Sequence, residues 1–238
     1  MTFSIAARCR RTGMVGVAVC TAMPGVGATC TFAAPLTGAV ATQARTNPYL
    51  GIDGLGRLRQ GLPPSEVVRE LLSQDPERQE RQLGVVDAHG ESAAFTGADC
   101  VPWCGHLTGP GYSIQGNMLV GGDTLSAMRT SFLDHGHDDL AGRLLAALEA
   151  GRAAGGDKRG HRSAAVKVYA AEEYPYLDVR VDDHAEPVVE LRRVLEVVQR
   201  DLLPFVRSMP RRAGGERDRG GGGATMTPAG NGPSVTRR

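Results

Sequence analysis

Alternation between apolar and polar or small side chains sets in at the second residue, where Phe3, Ile5 and Ala7 face one way and Thr2, Ser4 and Ala6 the other. This two-residue period belongs to a half-buried strand, so the chain's first element is read as a β-strand at its extreme N-terminus. Arg10-Arg11-Thr12-Gly13 reads as a turn, and the alternation resumes from Met14 to Thr21, which predicts a hairpin. A rival reading takes Arg10-Arg11 and the apolar run 13–30 as a twin-arginine or lipoprotein export signal. Pro24 and the glycines thin that run, however, and no clean small-residue cleavage site follows.

Further along, Gly38–Gln43 is expected as a third strand, and Arg45 to Gly51 as a loop in which Asn47-Pro48 breaks regular structure. Residues 65–74 read as a helix opened by Pro63-Pro64, with Val67, Val68, Leu71 and Leu72 on one stripe and Asp75-Pro76 as its stop. Gln82–Ala88 and Glu91–Thr96 form a second hairpin around His89-Gly90. A glycine-rich stretch, 97–122, holds one short strand at Tyr112–Gln115. Two helices follow, with stripes Leu125, Met128, Phe132 and Leu140, Leu144, Leu145, Leu148 and with Asp123 and Asp138 as first-turn acids. Ser163–Tyr169 and Leu177–Val181 alternate as strands, and Pro187 opens a last helix.

This order of strands and helices suits two sheets whose inner faces meet and whose outer faces carry helices. Length bounds the rest: 238 residues, 41% apolar, fit one α+β domain over residues 1–208 and a disordered Gly/Arg-rich tail over 209–238. Seven arginines from Arg207 onward face only Glu216 and Asp218, which leaves 20 basic and 24 acidic residues in the preceding body. A body of that sign offers no field for a polyanion, so nucleic acid is not an expected partner, and the tail reads as a solvating extension. No apolar stretch approaches the roughly 20 residues of a membrane span, so no membrane partner is expected either. Five cysteines, an odd number, argue against a disulfide framework and for a reducing, cytoplasmic setting.

Thr2 is the first candidate for chemistry. A small second residue permits removal of Met1, after which hydroxyl and free α-amine share one residue. An α-amine titrating near pH ~8 can then take the hydroxyl proton without a histidine. The plain alternative is a threonine that merely follows an initiator methionine.

The chain resembles an uncharacterised domain-of-unknown-function family placed in the N-terminal-nucleophile (Ntn) hydrolase superfamily. The resemblance spans about residues 1–200. It rests on Met1-Thr-Phe-Ser-Ile-Ala-Ala, Val40-Ala-Thr-Gln-Ala-Arg-Thr-Asn47, Gln82-Leu-Gly-Val-Val-Asp-Ala-His-Gly90 and Ala94-Phe-Thr-Gly97. It continues through Trp103-Cys-Gly-His106, Tyr112-Ser-Ile-Gln-Gly-Asn-Met-Leu119, Ala154-Gly-Gly-Asp-Lys-Arg-Gly160, Ser163-Ala-Ala165 and Asp178-Val-Arg-Val-Asp-Asp-His184. It implies a four-layer αββα Ntn-hydrolase-like sandwich, with two antiparallel sheets between helices, and Thr2 as nucleophile of an amidohydrolase that needs no cofactor. Proteasome-like members carry a lysine on the third strand. Here Gly38–Gln43 has none, so Thr42 and Gln43 are left to supply hydrogen bonds without a charge.

Asn117 is the candidate oxyanion donor, beside Gly116, which would let substrate approach; a turn residue closing a strand is the equal alternative. Asp157 is a candidate to hold the amine, and Arg159 to bind a substrate carboxylate, although both also suit a solvated loop. Gln43, Asn47, Trp103, His106 and Ser163 complete the expected substrate-binding set, with a small molecule as partner and homo-oligomerisation left open. Two further functions stay open: a non-catalytic ligand-binding protein on the same fold, and a metal-assisted hydrolase using Cys100, Cys104, His106, Asp99, Asp123 or the Asp182-Asp183-His184 cluster. The cysteine spacing is wrong for structural zinc, and no metal is expected. Trp103 reads equally as a pocket wall or as core, and His135, His137 and His161 as surface residues.

Overall fold

A computed structural model describes residues 2–134 and 139–212. In chain order it has β1 (Thr2–Arg8), β2 (Val15–Thr21), β3 (Thr31–Ala34), β4 (Gly38–Ala44), α1 (Pro48–Arg59), α2 (Pro64–Gln74), β5 (Arg81–Asp87) and β6 (Ser92–Thr96). There follow β7 (Gly105–Gly109), β8 (Tyr112–Asn117), α3 (Asp123–Asp134), α4 (Leu140–Ala153), β9 (Ser163–Tyr169), β10 (Leu177–Val181), α5 (Pro187–Val197) and α6 (Leu203–Ser208).

The strands form two antiparallel sheets, ordered β10-β9-β2-β1-β8-β7 and β3-β4-β5-β6. The first strand is therefore central, flanked by β2 and β8. Its period decides what lies on each side. Phe3, Ile5 and Ala7 point outward into a core with Met128, Phe132, Leu144 and Leu148 of α3 and α4, which α5 extends through Val188, Leu191 and Leu195. On the other sheet, Val40, Leu83 and Val85 point outward against Leu50 and Leu58 of α1 and Val67 and Leu71 of α2. The result is the four-layer αββα sandwich of an α+β protein.

Between the sheets the residues are small or polar. Ala6, Val17, Ala39, Ala41 and Val86 form one apolar patch. Beside it, Ser4, Gln43, Gln82, Ser113 and Gln115 are fully buried and bonded to one another. Amides and hydroxyls at that depth are tolerated because their donors and acceptors meet partners. Gly84 belongs to this layer: an added Cβ would collide with the Gln115 amide and the Ser113 hydroxyl. Gly84→Ala is expected to cost about 1–3 kcal/mol through overpacking. Gly56→Ala, on α1 with open space at the Cβ position, is expected to stabilise by about 0.5–1 kcal/mol through the smaller entropy of the unfolded chain. Urea midpoints of both variants test the pair.

The structure departs from the sequence expectations in four places. Asn47-Pro48 starts a helix rather than breaking one: the Asn47 side chain accepts from the Tyr49 amide and Pro48 occupies the first turn, where its missing N–H is no loss. The glycine-rich run 97–122 holds a second strand, β7, which pairs with β8. The run weighed as a rival export signal contributes β2, as the expected hairpin requires, but leads into a further strand, β3, that the sequence expectations did not include. The chain also stays packed beyond Ser208, since Met209 lies against the core and the Pro210 carbonyl accepts from the Tyr174 hydroxyl. His135, His137, Asp138 and most of the expected tail lie outside the described residues. No helix among the described residues is long and apolar enough to cross a membrane.

Candidate active site

Antiparallel register places Ser163, Thr21, Thr2 and Asn117 in one row across β9, β2, β1 and β8, all on the face turned toward the second sheet. Thr2 and Thr21 bring their hydroxyl oxygens to 3.1 Å. Asn117 donates its side-chain amide to Gln82 Oε1 at 2.9 Å, and Gln43 donates to the same oxygen at 2.7 Å. Gln43 also donates to the Thr2 carbonyl at 3.2 Å and accepts from Ser4 at 2.7 Å. Gln82 closes the set by donating to Thr96 and to the carbonyls of Gly105 and Gly116. Thr2 and Asn117 are thus fixed from below by glutamines whose polar groups are engaged inside the protein. Such a satisfied network holds one arrangement of the strand ends.

Asp157 lies at the same end, bridged through its backbone to Leu119 two residues past Asn117. Its carboxylate is buried and accepts from the amides of Ala22 at 3.1 Å and Arg159 at 2.8 Å. The Arg159 guanidinium adds a contact at 3.4 Å and stays partly exposed. His161 accepts from the Asp157 amide and packs edge-on against Phe3, and burial holds its pKa below the usual histidine value despite the nearby carboxylate. Three loops are stitched together above the row: Met118 and Leu119 donate to the carbonyls of Val101 and Trp103, and Val120 donates to that of Gly156. They leave Val101, Trp103 and Val120 exposed as an apolar rim, next to Lys158 and Arg159.

The expected site residues separate into two groups. Thr2, Asn117, Asp157, Arg159 and Gln43 converge, although Gln43 is wholly buried and supports Thr2 rather than reaching a ligand. Trp103 is on the rim, lying over Gly105 and Gly122. Ser163 is in the row, but its hydroxyl is committed to the Met23 carbonyl and the Val26 amide, which ties down the segment after β2. Asn47 is placed elsewhere, with its amide bonded to Asp75 and its oxygen capping α1. Gly116 gives room to Leu119 and Leu125 in the core, not to an approaching substrate. His106 is at the strand edge, joined to Thr96 at 2.9 Å, with its pKa lowered by desolvation. Thr42 faces the helical side and bonds the Asn47 carbonyl.

Thr21 and Gln82 are the participants that sequence reasoning missed. Both lie in phase with Thr2, since the inner face runs Thr2, Ser4 on β1 and Gln82, Gly84 on β5. A run of polar residues at inner-face positions was the available signal.

The cysteine alternatives fare differently. Cys100 donates to the Arg81 carbonyl, and burial pushes its thiol pKa up, away from the thiolate a metal ligand needs. Cys104 donates to the Cys100 carbonyl. Asp183 pairs with Arg162, and His184 accepts from the Glu186 amide. Among the described residues no three His, Cys, Asp or Glu side chains come together as a metal-holding group.

No curated protein matches the chain. Among solved structures, it is similar to the crystal structure of protein SPO2555 from Silicibacter pomeroyi, itself described as DUF1028. The identity is 33% and the TM-score 0.78, over 86% of this chain and 92% of that one. Anbu (ancestral beta-subunit) from Yersinia bercovieri is a remote likeness, 12% identical with a TM-score of 0.36, over 88% of this chain and 98% of that one. A family model described as a family of unknown function, DUF1028, matches residues 2–191, a span that includes the whole row from Thr2 to Ser163 and the Asp157 loop. The chain belongs to the DUF1028 family.

Proposed function

We propose that the protein hydrolyses an amide bond in a small acyl-amino compound, with Thr2 as N-terminal nucleophile once Met1 has been removed. The observation that carries this reading is the side-by-side placement of the Thr2 hydroxyl, the Thr21 hydroxyl and the Asn117 amide at the end of the central strands. In the proposed reaction the Thr2 α-amine takes the proton from its own Oγ1 as that oxygen bonds to the substrate carbonyl carbon. Negative charge gathers on the carbonyl oxygen, where the second amide proton of Asn117 and backbone N–H groups receive it. The α-ammonium returns its proton to the departing amine as the C–N bond breaks, and water then releases the acyl group from Thr2 by the same steps.

Gln43 takes the part of a positioning residue, since it fixes the Thr2 carbonyl. Asp157 positions the Arg159 loop and lends negative charge near the amine. The exposed Val101, Trp103 and Val120 beside Arg159 suit a substrate with an apolar acyl part and a carboxylate.

Gln43 also favours a second reading. It is neutral and fully engaged, so no side-chain charge on β4 tunes the amine, and a protein that binds the same class of compound without turning it over would keep this geometry.

Intact mass of the purified protein before and after a panel of amide and ester acyl donors separates the two. Hydrolysis predicts loss of Met1 and a trapped acyl adduct on Thr2. Retained Met1, or a free Thr2 inert across the panel, would overturn it. Trp103 is the chain's one tryptophan, so quenching of its emission by an N-acyl amino acid without any adduct would support binding alone.

A further inference from the structure

At the end of the sandwich away from Thr2, about 20 Å along β1 at roughly 3.3 Å per residue, three hairpin turns meet. The Arg8 amide donates to the Gly111 carbonyl at 2.9 Å, and the Gly111 amide donates to the Gly90 carbonyl at 2.8 Å. Gly90 and Gly111 have φ of 91° and 81°, so glycine is what lets the β5–β6 and β7–β8 turns close there. Between these turns and the end of α3 lies a cleft of about 460 Å³, lined by Arg8, Arg10, His89, Phe132, Leu133 and Arg143 among others.

Its charge is one-sided. Three guanidinium groups and an imidazole line it, with no carboxylate among the described lining residues, although the body of the chain has an excess of acids. Arg143 is held in place: its guanidinium lies 4.1 Å over the Phe132 ring and donates to the Phe132 carbonyl. The Nε of Arg8 is buried and meets no acceptor among the described residues. A buried charged donor left unmet is costly, so Arg8 is a cation whose hydrogen-bonding capacity the surrounding protein does not exhaust. Arg10, on the exposed turn, brings a second guanidinium fork.

We infer that this cleft is a binding site for a small oxyanion with at least two negative charges, of the phosphate or dicarboxylate type. Arg8 and Arg10 hold it through charge-assisted hydrogen bonds, Arg143 supplies field, and His89 offers a ring N–H donor. The site is separate from the Thr2 row and does not depend on its chemistry.

Calorimetric titration of the full chain with inorganic phosphate at low ionic strength, repeated with sulfate and with citrate, tests this. Saturable binding of one anion per chain is expected, weakened at least tenfold in Arg10→Gln and abolished in the Arg8→Gln, Arg10→Gln double variant. Arg10 lies exposed on a turn, so its single variant keeps the fold even if Arg8→Gln does not. Absence of saturable heat for all three anions would overturn the inference, as would equal affinity in Arg10→Gln. Thr2→Ala should bind as the parent does, and a loss there would also overturn it. Phosphate binding with no response to citrate would restrict the ligand to tetrahedral oxyanions.

Discussion

Thr2→Ala is expected to abolish acyl-adduct formation and to lower amide hydrolysis by at least about a thousandfold. The fold should survive, because the change removes one hydroxyl whose contact is with Thr21 at the end of a strand, and a single hydrogen bond contributes about 1 kcal/mol. Thr2→Ser keeps both hydroxyl and amine and should keep measurable turnover, as should Thr21→Val, which removes a neighbour of the nucleophile but not the nucleophile. The pH profile carries independent information. If the α-amine is the base, the rate rises with pH as the amine loses its proton, near pH ~8 for an unperturbed amine, and then levels off. Intact mass must show Met1 absent from every variant compared. Full activity in Thr2→Ala with Met1 absent would end the proposal and return attention to binding without turnover.

The second large effect is on stability. Asp75, at the end of α2, and Arg81, at the start of β5, form a buried pair at 2.9 Å with side chains 5% and 7% exposed. Asp75 also accepts from the Asn47 amide and from the Glu77 backbone, so one carboxylate ties the start of α1 to β5. Asp75→Ala strands the Arg81 charge with only the half-exposed Glu77 as carboxylate partner. A cost of about 3 kcal/mol is expected, at the lower end for a broken buried pair because Glu77 remains. For a chain of this size that corresponds to a loss of roughly 6–12 °C in Tm. Asp75→Asn keeps an acceptor and should cost less.

The same pair sets a pH dependence. Burial pushes the Asp75 carboxyl up, but hydrogen bonds from Arg81 and Asn47 outweigh it and hold the pKa below the ordinary carboxylate value. On acidification the unfolded chain therefore takes up this proton first. The stabilisation is complete above the unfolded value near pH ~4 and is lost as pH falls through the lower folded value. Stability against urea should fall as pH drops below about 5, with a shallower slope in Asp75→Ala. Asp183, Glu190 and Asp201 are lowered in the same direction by arginine partners. Asp183 and Asp201 are exposed and Glu190 partly so, so solvent and salt screen their pairs and leave Asp75 as the group to watch.

Local pattern made much of this protein legible. The alternation from Thr2 to Thr21 predicts β1 and β2, the stripe from Val67 to Leu72 predicts α2, and β9 and β10 fall at Ser163–Tyr169 and Leu177–Val181 as their periods require. Each signal is local because side chains two or three to four positions apart must share a face. Where one residue type serves opposite ends, the pattern misled: Asn-Pro marks a turn as readily as a helix start, and only the amide of Tyr49 meeting Asn47 decides which. β7 escaped notice because Gly105 and Gly109 leave a strand with little side chain to alternate.

The site divides along the same line. The sequence by itself determined that a hydroxyl-bearing residue follows Met1 at the head of a strand, and that Asn117, Asp157 and Arg159 stand among glycines. Tertiary structure alone decided that β1 is central, that Thr21 and Asn117 flank Thr2, and that Gln43 and Gln82 fix the row from the facing sheet. Those contacts join residues 19 to 115 positions apart. Pairing register and sheet packing are properties of the folded chain, and no local period encodes them.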